Sequence, residues 1–307
     1  MKVIINQPII LKELKDYDVS LYLKREDKIH PFISGNKYRK LKYNLFKAEE
    51  LNKDTLLTFG GAYSNHISAV AYTGKEFDFK TVGIIRGDEL DENIEEILKN
   101  NLTLQSAKEH GMEFKFVSRS DYRLKHTDVF IDDLRKEFGD FYLIPEGGTN
   151  KHAIKGCEEI LKNKDDKFDV ICSAIGTGGT IAGLINSAKE HQKILGFPAL
   201  KGDFLRKEIE KYTIQNLNWS LITDYHFGGF AKVNGDLINF INNFKEETNI
   251  PLDPIYTGKM MFGIVDLIKK GFFKDGSKIL AIHTGGLQGI NGMNSRLKQK
   301  GLPLIVE

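Results

Sequence analysis

Short apolar runs of β-branched and aromatic residues alternate along this chain with longer stretches of helical period. That alternation constrains the fold most, because it is the pattern of βα units and of parallel sheets covered by helices. The runs that predict strands are Leu21–Lys24, Thr55–Phe59, Thr81–Ile85, Glu113–Val117, Phe141–Ile144, Phe168–Cys172, Lys193–Phe197, Ser220–Thr223 and Lys278–His283. Helical period follows most of them. Between Glu92 and His110 one helix is expected, with Ile94, Ile97, Leu98, Leu102 and Leu104 near one face, Glu95, Glu96, Lys99 and Lys108 toward water, and Gly111 as its stop. Glycine pairs punctuate the series at Gly60–Gly61, Gly147–Gly148, Gly178–Gly179, Gly228–Gly229 and Gly285–Gly286, mostly after apolar runs. Ligands of open α/β sheets bind beyond the carboxyl ends of the strands, and glycine there allows positive φ or close backbone approach. The five pairs together point to a ligand cleft.

Composition narrows the function classes. Lys and Arg total 44 against 42 Asp and Glu, a net charge of +2, and no basic run is long enough to mark a nucleic-acid patch. Nucleic acid and membrane are therefore not expected partners. At 307 residues, 41% of them hydrophobic, the chain can bury a sizeable core in one large domain or two modest ones. Its two cysteines, Cys157 and Cys172, supply neither a disulfide framework nor the paired spacings of a zinc site, so a cytoplasmic, metal-free protein is expected. Asn6, Gln7 and Pro8 interrupt the apolar start, which lacks the core of a secretory signal. The long uncharged stretch Val170–Ala188 holds Gly176, Gly178, Gly179 and Gly183 and is too polar for a bilayer; it predicts a buried strand, a loop and a helix.

The loop in that stretch, Gly176-Thr177-Gly178-Gly179-Thr180, offers free N–H groups at a helix start, an anion cradle suited to phosphate. Leu184 and Ile185 stand where a Walker A loop has Lys and Ser/Thr, and Ile181 where a dinucleotide loop has its last glycine. An NAD(P)-dependent dehydrogenase is thereby disfavoured, and a single phosphate held by amides and the hydroxyls of Thr177 and Thr180 fits better. A second segment, Ser34-Gly35-Asn36-Lys37-Tyr38-Arg39-Lys40-Leu41, turns just before Lys37 on an opening helix. Lysines shift readily on burial toward the neutral amine that Schiff-base chemistry needs. A phosphate loop and an activated lysine are together what pyridoxal 5'-phosphate (PLP) requires. A third segment, Gly60-Gly61-Ala62-Tyr63-Ser64-Asn65-His66, opens a helix whose first amides suit a substrate carboxylate. Ser64 or Asn65 serves equally as a plain N-cap, and His66 as a packed helix-start residue.

Taken in order, Lys24-Arg25-Glu26-Asp27, the Ser34–Leu41 and Gly60–His66 segments, Gly176–Thr180, Asp253-Pro-Ile-Tyr-Thr-Gly-Lys259 and His283-Thr-Gly-Gly286 form a pattern. It resembles the 1-aminocyclopropane-1-carboxylate (ACC) deaminase/D-cysteine desulfhydrase family of fold-type-II PLP enzymes, relatives of the tryptophan synthase β subunit, over nearly the whole chain. The resemblance implies that Lys37 is the Schiff-base lysine and that Gly176, Thr177, Gly178, Gly179 and Thr180 form the phosphate cradle. It implies that Asn65 meets the phenolic oxygen and Thr257 the pyridine nitrogen, while Ser64 and the amides of Asn65 and His66 hold or attack the substrate beside Tyr256. Lys40, one turn after Lys37, is an expected helper near the phosphate or the cofactor pocket. The implied fold is a pair of α/β domains with open, mostly parallel sheets flanked by helices and PLP in the cleft. Residues 1–39 and 150–307 would form the large domain and residues 40–149 the small one, since the Thr55–Ile144 series is self-contained. A small amino acid is the expected substrate and a homodimer the expected assembly.

The two named activities are separated at one position. ACC deaminases resemble one another in Tyr-Glu where this chain has Tyr256-Thr257, and relatives carry a tyrosine near the place of Phe230. A carboxylate keeps the ring nitrogen protonated, whereas a hydroxyl can only hydrogen-bond an unprotonated ring. The latter suffices when negative charge at the substrate carbon is discharged at once through a β-leaving group. The expected reaction is α,β-elimination from D-cysteine to pyruvate, sulfide and ammonia, with Lys37, Ser64 and Tyr256 catalytic. ACC deamination, elimination from D-serine or another D-amino acid, and a non-catalytic small-molecule-binding α/β protein are the alternatives.

Overall fold

The structure, a computed structural model, describes residues 3–91, 94–202, 204–213 and 218–306. Among them run ten strands: β1 (Asn6–Pro8), β2 (Val19–Lys24), β3 (Thr55–Gly61), β4 (Lys80–Arg86), β5 (Glu113–Val117), β6 (Tyr142–Ile144), β7 (Val170–Ile175), β8 (Lys193–Pro198), β9 (Trp219–Leu221) and β10 (Ser277–Ile282). The helices are α1 (Asn36–Glu50), α2 (Asn65–Phe77), α3 (Ile94–Asn100), α4 (Leu102–Glu109), α5 (Asp128–Phe138), α6 (Lys151–Glu158), α7 (Gly179–Ser187), α8 (Phe204–Glu210), α9 (Gly235–Thr248), α10 (Thr257–Lys269) and α11 (Gly289–Gln299). Each of the nine predicted runs overlaps a strand. The Val170–Ala188 stretch is the expected buried strand, loop and helix. Among the described residues no helix is long and apolar enough to cross a membrane.

The chain divides into two compact units, Met1–Arg39 with Ile154–Glu307, and Lys40–Ala153. The first unit holds a six-stranded sheet ordered β1-β2-β10-β7-β8-β9, parallel except where β1 pairs antiparallel with β2. Parallel strands covered by helices bury both faces, which is why β7 is buried at every position. Side chains alternate between two cores. Ile279 and Ala281 face Leu237, Ile264 and Met293 of α9, α10 and α11, while Leu280 and Ile282 face Cys157, Ile181 and Leu205 of α6, α7 and α8. The second unit holds the all-parallel sheet β5-β4-β3-β6, with Leu57, Phe59, Val82 and Ile84 packed against Ile131 and Leu134 of α5.

The Lys24-Arg-Glu-Asp motif is an ionic lattice of the first unit. Lys24 Nζ donates to Asp165 Oδ2 at 2.6 Å, Arg39 pairs with Glu26 at 2.9 Å, and Arg25 makes a two-pronged contact with Asp27 at 2.9 and 2.7 Å. All of these groups are buried or nearly so, and each is paired, as buried charge requires.

Two departures from the expected elements stand out. Glu92–His110 is not one helix: its first two residues lie outside the described residues, and α3 and α4 are separated at Asn101. The Asn101 side chain accepts from the Thr103 and Leu104 amides at 3.0 and 3.1 Å, so the residue caps α4 rather than continuing α3. Leu102 consequently faces solvent instead of the apolar stripe. The second departure is β1, whose Asn-Gln-Pro sequence has no strand pattern and which forms by pairing with Tyr22–Lys24. Four of the glycine pairs do stand at carboxyl ends of strands; Gly228–Gly229 belongs to a longer loop after β9.

Candidate active site

In the first unit the turn before Lys37 is docked on the loop that follows β10. Gly35 has φ +60°, and a Cβ on it would lie 1.9 Å from the Thr284 carbonyl oxygen, so only glycine fits. The Asn36 amide donates to the same carbonyl at 3.2 Å. The Thr284 loop is fixed in turn by His283, which is fully buried. Its Nδ1 accepts from the Gly285 amide at 3.2 Å, so its Nε2 carries the proton donated to the Pro251 carbonyl at 2.8 Å. Burial lowers the pKa of this ring against the opposing pull of Asp27, in keeping with that neutral tautomer. Lys37 follows in the first turn of α1, half-buried.

Asn36 joins this turn to the glycine loop, because its Nδ2 donates to Thr180 Oγ1 at 2.7 Å across 144 residues of sequence. A hydroxyl that accepts from Asn36 keeps its own proton for another acceptor. Gly178, with φ +85°, is the N-cap of α7 and brings no capping side chain to the first-turn amides. A Cβ there would meet Ile209 at 2.9 Å. The Gly179 and Thr180 amides therefore open an uncapped helix, a donor set for an anion. Thr177 is exposed at the loop's edge.

Gly176 borders Tyr256, whose ring would lie 3.2 Å from a Cβ at that position. Tyr256 and Thr257 open α10 under the control of Asp253. The Asp253 carboxylate accepts from the Ile255, Tyr256 and Thr257 amides at 2.9, 2.6 and 3.1 Å. Burial pushes its pKa up to about 6, with those amides pulling it down. Thr257 is fully buried; its Oγ1 accepts from the Asp253 amide at 2.9 Å and lies 3.3 Å from Asp253 Oδ2. The second contact is long for an O–H···O bond, which leaves the hydroxyl proton loosely committed.

The second unit brings Ser64, Asn65 and His66 together where β3 passes into α2. Ser64 is the N-cap of α2: its Oγ accepts from the His66 and Ile67 amides at 3.2 and 3.4 Å. The His66 side chain is buried against Thr58, as a packed helix-start residue. Thr58 Oγ1 gives its single proton to the Ile144 carbonyl at 2.8 Å, so it accepts from His66 Nε2 at 2.9 Å and that nitrogen carries a proton. Lys40, also buried, donates to the Gly147 carbonyl at 2.9 Å and to Thr149 Oγ1 at 3.0 Å, and so holds the loop after β6.

Within the first unit the glycine loop and the Lys37 turn that Asn36 joins to it suit a phosphorylated aldehyde. The glycine loop offers uncapped amides and a hydroxyl proton for a phosphate. In the second unit, taken by itself, Asn65 Oδ1 is a buried oxygen with no hydrogen-bond partner among the described residues. Such a group is ordinarily completed by a ligand or water. Comparison with known proteins agrees. The family model described as "Pyridoxal-phosphate dependent enzyme" matches residues 3–285, and the chain belongs to that family. Its cofactor is PLP and its fold is that of the fold-type-II enzymes. Within the family the chain is similar to the crystal structure of an ACC deaminase homologue, with a TM-score of 0.83 at 28% identity over 97% of this chain and 94% of that one. It is 31% identical to the bifunctional D-cysteine desulfhydrase/ACC deaminase of Arabidopsis thaliana, over 88% of this chain and 73% of that protein. It is 29% identical to the ACC deaminase of Rhizobium rhizogenes, over 89% of each.

Asn36, Asp253 and Lys259 are the residues that the sequence reading left without a role. All three lie inside motifs already singled out, next to Lys37, Tyr256 and Thr257, and adjacency was the only local signal.

Proposed function

We propose that the protein carries out α,β-elimination on a small D-amino acid with a β-thiol, D-cysteine, releasing sulfide, ammonia and pyruvate. The observation that carries this reading is the buried hydroxyl of Thr257 at the start of α10, where the family resemblance puts the partner of the ring nitrogen and where ACC deaminases resemble one another in a carboxylate. The nearby carboxylate of Asp253 is committed to backbone amides. PLP, when bound, supplies an electron sink for charge developing at the substrate α-carbon. A neutral partner makes that sink a modest one, which suits a reaction whose charge leaves at once with the β-thiolate.

In this reading Lys37 attaches the cofactor, gives way to the substrate amine and moves the α-proton with Ser64 or Tyr256. The amides of Gly179 and Thr180 and the hydroxyls of Thr177 and Thr180 bind phosphate; the Asn65 amide meets the phenolic oxygen. Ser64 and the backbone amide of Asn65 hold the substrate carboxylate, the His66 and Ile67 amides being taken by the Ser64 cap. Two domains, a homodimeric assembly and a cytoplasmic location belong to the same proposal. The named relatives favour ACC deamination as the second reading, and D-serine elimination is a third. Assaying the holoenzyme on D-cysteine, D-serine and ACC for pyruvate, sulfide and 2-oxobutyrate tests them. Sulfide and pyruvate from D-cysteine well above product from the other two is the expected result; 2-oxobutyrate from ACC with nothing from D-cysteine makes it an ACC deaminase instead.

A further inference from the structure

Lys259 lies in the first turns of α10, only 2% exposed, and among the described residues no carboxylate is within ion-pair distance of it, although the charge of Asp253 acts on it. Its Nζ donates to two backbone carbonyls of one loop, those of His226 and Gly229, each at 2.9 Å. That loop is bent repeatedly into the left-handed region, with φ of +52° at Phe227, +89° at Gly228, +114° at Gly229 and +54° at Ala231. Phe227 and Ala231 are not glycine, so the conformation is costly and needs an external hold. Inside the loop the bonds found are short-range: Gly228 N–H to His226 Nδ1 at 2.9 Å, Gly229 N–H to the His226 carbonyl at 3.0 Å and Lys232 N–H to the Gly229 carbonyl at 3.2 Å. The Phe227 ring meets Phe262 of α10 edge-on, with centroids 5.0 Å apart. The loop delivers Phe230, 48% exposed, edge-on to Tyr256 with ring centroids 6.2 Å apart. Lys259 therefore ties Phe230 to the helix that begins at Tyr256 and Thr257.

We propose that Lys259 is a positioning residue that clamps the His226–Ala231 loop so that Phe230 stands against Tyr256, and that this loop selects the β-substituent of the substrate. The selection rests on the placing of Tyr256 beside the substrate given under Proposed function. A phenylalanine edge offers neither a hydrogen bond nor a charge. A thiol, which behaves as a small hydrophobe and packs well on aromatic rings, is retained there, whereas a hydroxyl loses its water without compensation. The substrate class is thus β-thiol or thioether amino acids in preference to β-hydroxy ones.

The test compares wild-type, Lys259→Met, Phe230→Ala and doubly substituted holoenzyme, with bound-cofactor absorbance as the check on folding. Limited trypsin digestion mapped at the exposed Lys232 reads the clamp directly, and Lys259→Met should be cut there several-fold faster. The ratio of kcat/KM for D-cysteine over D-serine reads selection. It should fall by on the order of 10- to 100-fold in each single variant, chiefly through the KM for D-cysteine, with no further fall in the double variant because both act through one loop. Unchanged cleavage at Lys232 overturns the clamp. Faster cleavage with an unchanged ratio overturns the loop's part in selection. A wild-type holoenzyme that eliminates neither amino acid overturns selection along with the proposed reaction, and the cleavage comparison still decides the clamp.

Discussion

Thr257 Oγ1 sits against Asp253, accepting from its amide at 2.9 Å and facing its carboxylate at 3.3 Å. A glutamate at this position would bring a second carboxylate into a fully buried place, where like charges oppose ionisation unless a cation stands opposite. A protonated ring nitrogen is such a cation. Thr257→Glu is therefore expected to shift the visible absorbance of the bound cofactor and to lower D-cysteine elimination while raising ACC opening relative to it. Measuring sulfide and 2-oxobutyrate from one preparation gives the ratio. An unchanged spectrum and ratio would remove Thr257 from the ring nitrogen. At this scale the sequence was legible where backbone conformation alone decides the residue, as with Gly35 and Gly178, both at positive φ. Asn36, Asp253 and Lys259 were not legible, because what defines them is a partner: a hydroxyl 144 residues away, three amides, and two loop carbonyls.

Among the elements, the strands were readable because a parallel sheet demands unbroken apolar runs on both faces, as in β7. β1 was not readable, because an edge strand of Asn, Gln and Pro is held by its neighbour rather than by its own pattern. The break between α3 and α4 escaped the helical period because Asn101 fits either as a helix residue or as a cap, and the two amides it satisfies decide the matter. The joint between the Ser34–Lys37 turn and α7 is the element-scale feature with a direct readout. Asn36→Ala removes one hydrogen bond to Thr180, about 1 kcal/mol, and should raise the PLP dissociation constant roughly fivefold. Gly178→Val should weaken PLP far more, since its Cβ would meet Ile209 at 2.9 Å and its φ of +85° strains any branched residue. Titration of apo-protein with PLP, followed by absorbance, ranks the two. The reverse order would mean that the α7 amides do not hold the phosphate.

Over the whole molecule, the first unit is assembled from chain ends far apart in sequence, and Asp165 is where they are fastened. Its carboxylate accepts from Asn6 Nδ2 at 2.6 Å, Lys24 Nζ at 2.6 Å and the Lys162 amide at 2.8 Å, tying β1 and β2 to the turn before β7. Both Lys24 and Asp165 are 1% exposed, and burial lowers the Lys24 pKa while Asp165 raises it again. Removing one partner of a buried ion pair typically costs ~3–5 kcal/mol, because the other charge is left without compensation. The two partners are not equivalent here. Lys24→Met leaves the Asp165 carboxylate two remaining donors, whereas Asp165→Leu strands an ammonium, an amide side chain and a backbone N–H together. Both substitutions should lower the urea midpoint of holoenzyme unfolding, Asp165→Leu by the larger amount, and Lys24→Met should stay near the lower end of that range. Equal losses, or a greater loss from Lys24→Met, would show that the lysine rather than the carboxylate joins these strands.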